Sequence, residues 1–537
     1  MRTIAVRVAG VFVVTGLAAA CDPSGASEDA GRASDMDAPG LDAPGLDAPG
    51  LDAHAPAPID ADRGDTQADA LLPSSLGPFA FRRGVNPGYY GPGIDRRESA
   101  QLSVGAGASS IRGTLPERYL ARWGDEIEVG DYAYYAEQGL DDHAVFLIGP
   151  SAEHSSAPAG TPDWELDHYA PRNLYEPIFL PDGRVNPENH WASYVDRVAR
   201  TYGDHIAIYE VWNEPDQVLG NWMVTTEWDT RAPTASELVW WNDTIYAYVR
   251  ALRITHEVVH RADPDAQVTV GGVGYPNFLR AVLRYTDEPT SGAVDADHPY
   301  TGGHYLDVLS FHYYPVFGGG SSDRGVEGLL EQRDAMRETL TEVGLGDLGF
   351  VVTETGAPRV AVGTTPGSPL YAASYLVKAM VLGHHEGWVG IDWFAQGEGD
   401  AAAQATDSFQ SMGLYESYAM AMSPSEVRRT AQGDAYAWLA TWMNDTAADP
   451  ALTAGMELPT DARGVAFRRS DGSRVYVVWA HTGGDESATA SWSIASDASA
   501  LVRTFAVGAG RSERAVAPES GRIAITLGSM PTVIELP

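Results

Sequence analysis

Between residues 78 and 446, short apolar runs alternate with stretches of helical periodicity, and this repeat constrains the fold more than any other feature of the chain. The strand candidates are Phe79–Val85, Leu102–Ile111, Ala144–Ile148, Ile206–Val211, Gln267–Val273, Val308–His312, Gly349–Thr353 and Val389–Trp393. Helical periodicity is clearest at Tyr194–Tyr202, Ser236–Arg261, Val326–Val343, Tyr371–Glu386 and Ala435–Asn444. Eight strands in phase with helices predict an α/β chain folded as a (β/α)8 TIM barrel over residues 78–450, rather than an open sheet. Residues 451–537 change character to short Thr/Ser/Val-rich strands such as Val475–Ala480, Thr489–Ile494 and Thr532–Leu536, which predicts a small β-sandwich. That sandwich reads as a buttress for the barrel, with a binding module as the alternative.

The N-terminal residues cannot belong to either unit. Residues 21–77 hold three copies of Asp-Ala-Pro-Gly-Leu and almost no aromatic or β-branched side chains before residue 70. Such a segment buries too little surface to offset the entropy of ordering, so a disordered, extended linker is expected. Ahead of it, Arg2 and Arg7 precede an apolar run from Val8 to Ala20, long enough for a signal peptide and too short to span a bilayer. The run ends Leu17-Ala18-Ala19-Ala20-Cys21, which resembles a bacterial lipoprotein cleavage site, although Ala18 stands where Leu is usual. Residues 1–20 are therefore expected to be a signal peptide, with Cys21 the lipid acceptor and the protein exported and anchored to the cell envelope. A plain secretory signal is the alternative. Cys21 is the sole cysteine, so an intramolecular disulfide and a Cys-based zinc site are both excluded. The chain carries 36 basic against 73 acidic residues, net −37. That field repels polyphosphate and argues against nucleic acid as a partner.

In a barrel of this kind, chemistry sits where strands end and βα-loops begin. The fourth strand runs into Trp212-Asn213-Glu214-Pro215 and the seventh into Thr353-Glu354-Thr355-Gly356, so Glu214 and Glu354 share one rim. Glycoside cleavage needs two facing carboxyl groups and neither metal nor cofactor, so none is expected. Trp222 and Trp228, in the long loop after strand four, either stack on sugar rings or make an interloop apolar contact. The insert from Gly149 to His190 is too long for a plain connection and is expected to shape the cleft.

Asn-Glu-Pro at strand four together with a strand-seven glutamate resembles clan A of the glycoside hydrolases, the retaining (β/α)8 enzymes, nearest to families 39 and 5. The resemblance implies that Glu214 is the acid/base, Glu354 the nucleophile, and Asn213 a ligand of the sugar 2-hydroxyl. Within Ser310-Phe311-His312-Tyr313-Tyr314-Pro315 it implies that His312 and Tyr314 approach the nucleophile and the reactive sugar. Arg112, in Ser109-Ser110-Ile111-Arg112, would steady the nucleophile, or else pair with a core carboxylate. Trp393 would floor the sugar site. By this reading the protein is a monomeric glycosidase acting on a β-linked poly- or oligosaccharide by double displacement. A non-catalytic carbohydrate-binding surface lipoprotein is the alternative.

One motif competes. His256-Glu257-Val258-Val259-His260 matches the zinc-peptidase signature H-E-x-x-H. It falls in the last turns of the helix after strand four, at the barrel end opposite the catalytic rim, and Arg261-Ala262-Asp263-Pro264 offers no obvious third ligand. A zinc metallopeptidase is the remote alternative. Gly271-Gly272-Val273-Gly274 lacks the spacing of a nucleotide loop and reads as close packing at the end of strand five.

Overall fold

A computed structural model describes residues 81–87, 93–217, 226–317, 320–399, 405–416 and 418–537. The expected signal peptide, Cys21, the linker and Trp222 lie outside the described residues. Among the described residues no helix is long and apolar enough to cross a membrane.

The elements follow the predicted repeat: β1 (Arg82–Val85), α1 (Arg96–Ala106), β2 (Ser110–Thr114), α2 (Glu117–Trp123), α3 (Val129–Glu137), β3 (His143–Leu147), α4 (His190–Tyr202) and β4 (Ile206–Val211). They continue with α5 (Ile245–Ala262), β5 (Gln267–Val270), α6 (Pro276–Arg284), β6 (Val308–Tyr313), α7 (Ser322–Thr341), β7 (Gly349–Thr355), α8 (Pro369–His385) and β8 (Gly390–Trp393). One strand expectation fails in part. Residues 102–106 complete helix α1, and the second strand begins only at Ser110. Local signals explain this: Asp95 and Glu98 form a reciprocal capping box at the start of α1, and Gly107 ends it in the left-handed conformation at φ 93°.

All eight strands run parallel, in the order β5-β4-β3-β2-β1-β8-β7-β6. The ring closes between β5 and β6 by looser means. There Val273 bridges Phe311, Asp307 N–H donates to Val268 O at 3.0 Å, and Val268 N–H donates to the Asp307 carboxylate at 2.9 Å. Side chains alternate along each strand between the barrel interior and the helices outside. Ala144, Ile208, Val308, Val351 and Val389 form a small apolar cluster of their own, whereas Tyr209 and Val211 join the large cluster packed under the helices.

After β8, β9 (Tyr415–Glu416) and β10 (Arg428–Arg429) pair as a short ribbon, and α9 (Ala431–Met443) completes the helical ring. The C-terminal unit is built from β11 (Thr446–Ala448), α10 (Pro450–Ala454), β12 (Ala462–Arg469), β13 (Arg474–Ala480), β14 (Ala490–Ala495), β15 (Ala500–Ala506), β16 (Gly510–Val516), β17 (Arg522–Leu527) and β18 (Thr532–Leu536). A six-stranded antiparallel sheet, β11-β12-β13-β18-β15-β16, faces the two-stranded sheet β14-β17 across a core that includes Tyr476, Val478, Trp492, Ile525 and Ile534. This unit is joined to the barrel by a buried polar knot. Lys378 of α8 donates to Asp323 of α7 at 2.8 Å, and Asp323 also accepts from Trp479 Nε1 and Thr482 N–H at 2.7 Å each. Every donor in this dry contact has an acceptor, which makes the sandwich part of the barrel's packing.

Candidate active site

Strand β4 turns its alternate residues Ile208 and Glu210 inward, and the chain then leaves regular geometry. Trp212 and Glu214 both adopt positive φ, 75° and 45°. Such backbone is costly for non-glycine residues and persists only where neighbours enforce it. The enforcement comes from the loop after β5, where Gly271 O accepts from Glu214 N–H at 2.6 Å. A Cβ at Gly271 would lie 2.3 Å from Trp212 O, and one at Gly272, itself at φ 62°, 2.0 Å from His312 Nε2. The two glycines therefore serve close packing, and that packing aims Glu214 across the barrel mouth.

Glu354 projects from β7 into a ring of donors. Arg112 of β2 donates through Nη1 to Glu354 Oε1 at 2.6 Å, and Tyr314 O–H donates to Oε2 at 2.5 Å. The same guanidinium forks onto Glu210 at 3.1 and 2.8 Å, and reaches the side-chain oxygens of Asn213 at 2.8 Å and Asn86 at 3.3 Å. Burial opposes the charge of Arg112, but Glu210 and then Glu354 outweigh it and raise its pKa. The two readings of Arg112 thus hold together: it pairs with a core carboxylate and grips the strand-seven glutamate.

Glu214 has different surroundings. One oxygen lies 2.8 Å from His312 Nδ1, and the other accepts from Gln217 Nε2 at 3.1 Å. Burial pushes its carboxyl up to about 7, against the pull of Arg112 and the Gln217 hydrogen bond. Burial likewise lowers His312 to about 4, so its ring is neutral near pH 7 and its far nitrogen lies 3.1 Å from Thr353 Oγ1. Asp216 is enclosed two residues on. It accepts from Gly274 and Tyr275 N–H at 2.8 and 2.9 Å, and burial, then Glu214, pushes it up to about 7. Donor atoms of Glu214, His312 and Glu354 all lie within 4.8 Å of one another. Both oxygens of Glu354 already accept from Arg112 and Tyr314, so a cation there would share them with a guanidinium.

The fold thus brings Glu214, Glu354, Asn213, Arg112, His312 and Tyr314 into one cluster. Trp393 is not placed as expected. Its indole is fully buried and donates to Met412 O at 2.9 Å, so it has no face to offer a sugar. The next residue, Phe394, instead meets the edge of Tyr314, as Phe409 does, with ring centroids 5.9 and 4.7 Å away. Trp228 is also fully buried and forms no cleft wall. Residues that the sequence did not assign to the site complete the cluster: Asn86, Glu210, Asp216, Gln217 and Thr353. Glu210 was signalled, since it stands inside the fourth strand, four residues before Glu214. Asn86, at the end of β1, carried no signal beyond its place at a strand end. At the opposite end of the barrel, His256 and His260 face Asp307, a third ligand-type residue that the sequence around the motif did not reveal.

No family model matches the chain, and no curated protein matches it. Solved structures do match its fold. A family 39 glycoside hydrolase from the gut symbiont Bacteroides cellulosilyticus WH2 superposes with a TM-score of 0.57 at 16% identity, over 86% of this chain and 82% of that one. A glucosidase from Croceicoccus marinus superposes with a TM-score of 0.50 at 12% identity, over 85% of this chain and 99% of that one. The chain thus has the fold of these glycoside hydrolases, and the alignment takes in most of both molecules. The first is a family 39 structure, one of the two families that the strand-four and strand-seven motifs resemble.

Proposed function

We propose that the protein is a retaining glycoside hydrolase of the clan A type, acting on a β-linked poly- or oligosaccharide. The observation that carries this reading is the pair of rim glutamates, with oxygens within 4.8 Å of one another. Double displacement uses carboxyl groups about 5–5.5 Å apart, whereas inverting enzymes leave about 6.5–9.5 Å for a water. In the first step a Glu354 oxygen attacks the anomeric carbon, and Glu214 gives its proton to the departing glycosidic oxygen. In the second, Glu214 takes a proton from water, whose oxygen displaces Glu354 and releases the sugar.

The surroundings of each group suit its part. Arg112 and Tyr314 point N–H and O–H donors at Glu354, as a carboxylate nucleophile requires. Glu214, raised to about 7, keeps a proton to donate near neutral pH. Arg112 binds the side-chain oxygen of Asn213, which leaves the amide nitrogen as the group to meet a sugar hydroxyl. Solvent reaches 18% of the Glu214 side chain and 13% of that of Glu354, but only 1% of Arg112, so the two carboxyl groups face the cleft and the cation stays behind them.

The test is hydrolysis of a panel of aryl glycosides and β-linked polysaccharides by the full chain, with product anomers followed by NMR. Cleavage with retention, abolished in a folded Glu354→Gln variant, is expected. An inverted first product rejects the double displacement, and binding without cleavage by the unaltered chain rejects the enzymatic reading in favour of a carbohydrate-binding protein.

A further inference from the structure

The H-E-x-x-H motif gains a meaning from the fold that its sequence did not give. His256 and His260 lie one turn apart near the end of α5, with ring centroids 4.1 Å apart and the planes at 83°. Facing them is Asp307, the residue just before β6. His260 Nε2 is 3.2 Å from Asp307 Oδ2, and His256 Nε2 is 3.9 Å from Asp307 Oδ1. One donor atom from each of the three lies within 4.8 Å of the others.

We propose that His256, His260 and Asp307 bind a divalent transition metal of the zinc class, and that this metal clasps the β5–β6 seam at the bottom of the barrel. Two imidazoles and a carboxylate are a borderline donor set of the kind zinc takes. Ligands about 2.0–2.2 Å from a tetrahedral zinc stand about 3.3 Å from one another, so the present spacing needs only a small inward shift. Solvent reaches 22%, 24% and 17% of the three side chains, which leaves an entry path and a water for the fourth position. His260 Nε2 also lies 3.0 Å from Ala266 O, a contact that the metal would replace.

The site is structural. Glu257, which acts as general base in a metallopeptidase, is held by Arg253 at 2.7 Å, and the cluster sits on the face opposite Glu214 and Glu354. Its position gives it work to do. The barrel is laddered everywhere except between β5 and β6, and Asp307 already spans that gap through Val268. A metal held by α5 on one side and Asp307 on the other would tie the helix leading into β5 to the start of β6. That tie reaches the strand that carries His312 and leads into Tyr314.

The experiment is calorimetric titration of ZnCl2 into the full chain, first stripped with EDTA and desalted, with thermal unfolding measured in parallel. One tightly bound equivalent of Zn2+ and a raised melting temperature are expected. Both should be lost in H256Q, which keeps the Asp307–Val268 hydrogen bonds, and in D307N. Both should survive in the E214Q/E354Q double variant. Weak binding by the Asp-rich N-terminal segment would be common to all variants and cancels in the comparison. Absence of a tight equivalent in the unaltered chain, its survival in H256Q, or its loss in E214Q/E354Q instead, would each overturn the proposal; should D307N fail to fold, H256Q alone decides.

Discussion

Glu214 and Glu354 approach within 4.8 Å across the barrel mouth, yet their hydrogen-bonding environments are opposed. Glu354 is met by a guanidinium and a phenol, both donors, whereas Glu214 is met by a neutral imidazole and an amide. A pair of like acids becomes an acid and a nucleophile when their surroundings push their proton affinities apart. Here burial raises Glu214 to about 7, while Arg112 binds Glu354 directly and reaches Glu214 only through space.

Leaving-group dependence separates the two carboxyl roles. General acid catalysis contributes about 10²–10⁴-fold where the departing oxygen needs a proton. Glu214→Gln should therefore lower kcat/KM by that order for glycosides of poor leaving groups, and far less for a dinitrophenyl glycoside. Glu354→Gln should be inactive on both. Steady-state kinetics on a graded series of aryl glycosides measures the contrast, and equal losses across the series would deny Glu214 the acid role.

The pH profile follows from the same group. The acid must carry its proton in the free enzyme, and burial holds Glu214 up to about 7. Activity in kcat/KM should thus fall as pH rises through about 7, by tenfold per unit beyond it. With a dinitrophenyl substrate the first step needs no proton, and this alkaline limb should flatten. A limb that persists unchanged with both substrates would point to another titrating group.

Arg112 is the shared support of the site, so its loss should cost both stability and activity. It is buried between Glu210 and Glu354, and removing one partner of a buried ion pair costs about 3–5 kcal/mol. Arg112→Met should destabilise the chain by that amount in urea unfolding. Adding Glu210→Gln should return a large part of it, because the stranded charge is then gone. Activity should stay low in the double variant, since Glu354 still lacks its Arg112 hydrogen bond. Additive losses in the two single variants would show that the pair is not coupled.

Much of this site was legible because strands report their own ends. Glu214 and Glu354 each close an apolar run that could only be a barrel strand, and β4 and β18 fall at their predicted limits, Ile206–Val211 and Thr532–Leu536. Helix α1 was partly misread because Leu102 and Val104 alternate with polar neighbours as strand residues do, while the signals that fix the helix, Asp95 with Glu98 and Gly107, are hydrogen bonds rather than apolar spacing. Trp393 misled for a different reason. Sequence places an aromatic at a strand end but not the direction of its ring, and Met412 O draws the indole inward while Phe394 lies beside Tyr314. Asp307 could not have been found at all, since it lies 47 residues beyond His260 and meets it only when the barrel closes between β5 and β6.

Asp216 should make the fold more stable in mild acid than at neutral pH. It is fully buried, its Oδ1 has no hydrogen-bond partner among the described residues, and burial with Glu214 nearby raises it from 3.8 to about 7. Between those values the folded chain keeps a proton that the unfolded chain has lost, so the free energy of unfolding falls as pH rises. The contribution is fully present below about pH 4 and is lost as pH rises through about 7, with a size on the order of a few kcal/mol. Asp216→Asn cannot titrate, and its side-chain oxygen can still accept from Gly274 and Tyr275. Its melting temperature relative to that of the unaltered chain should therefore rise between pH 4 and 7. The slope that remains is set by Glu214, raised to about 7, and Asp392, which burial and then Glu210 push up to about 6 against Arg82, and is opposed by His143, His312 and His384, which burial lowers to about 3, 4 and 4. Calorimetric melting of both chains across this range decides it: parallel curves would mean that Asp216 is already ionised in the fold.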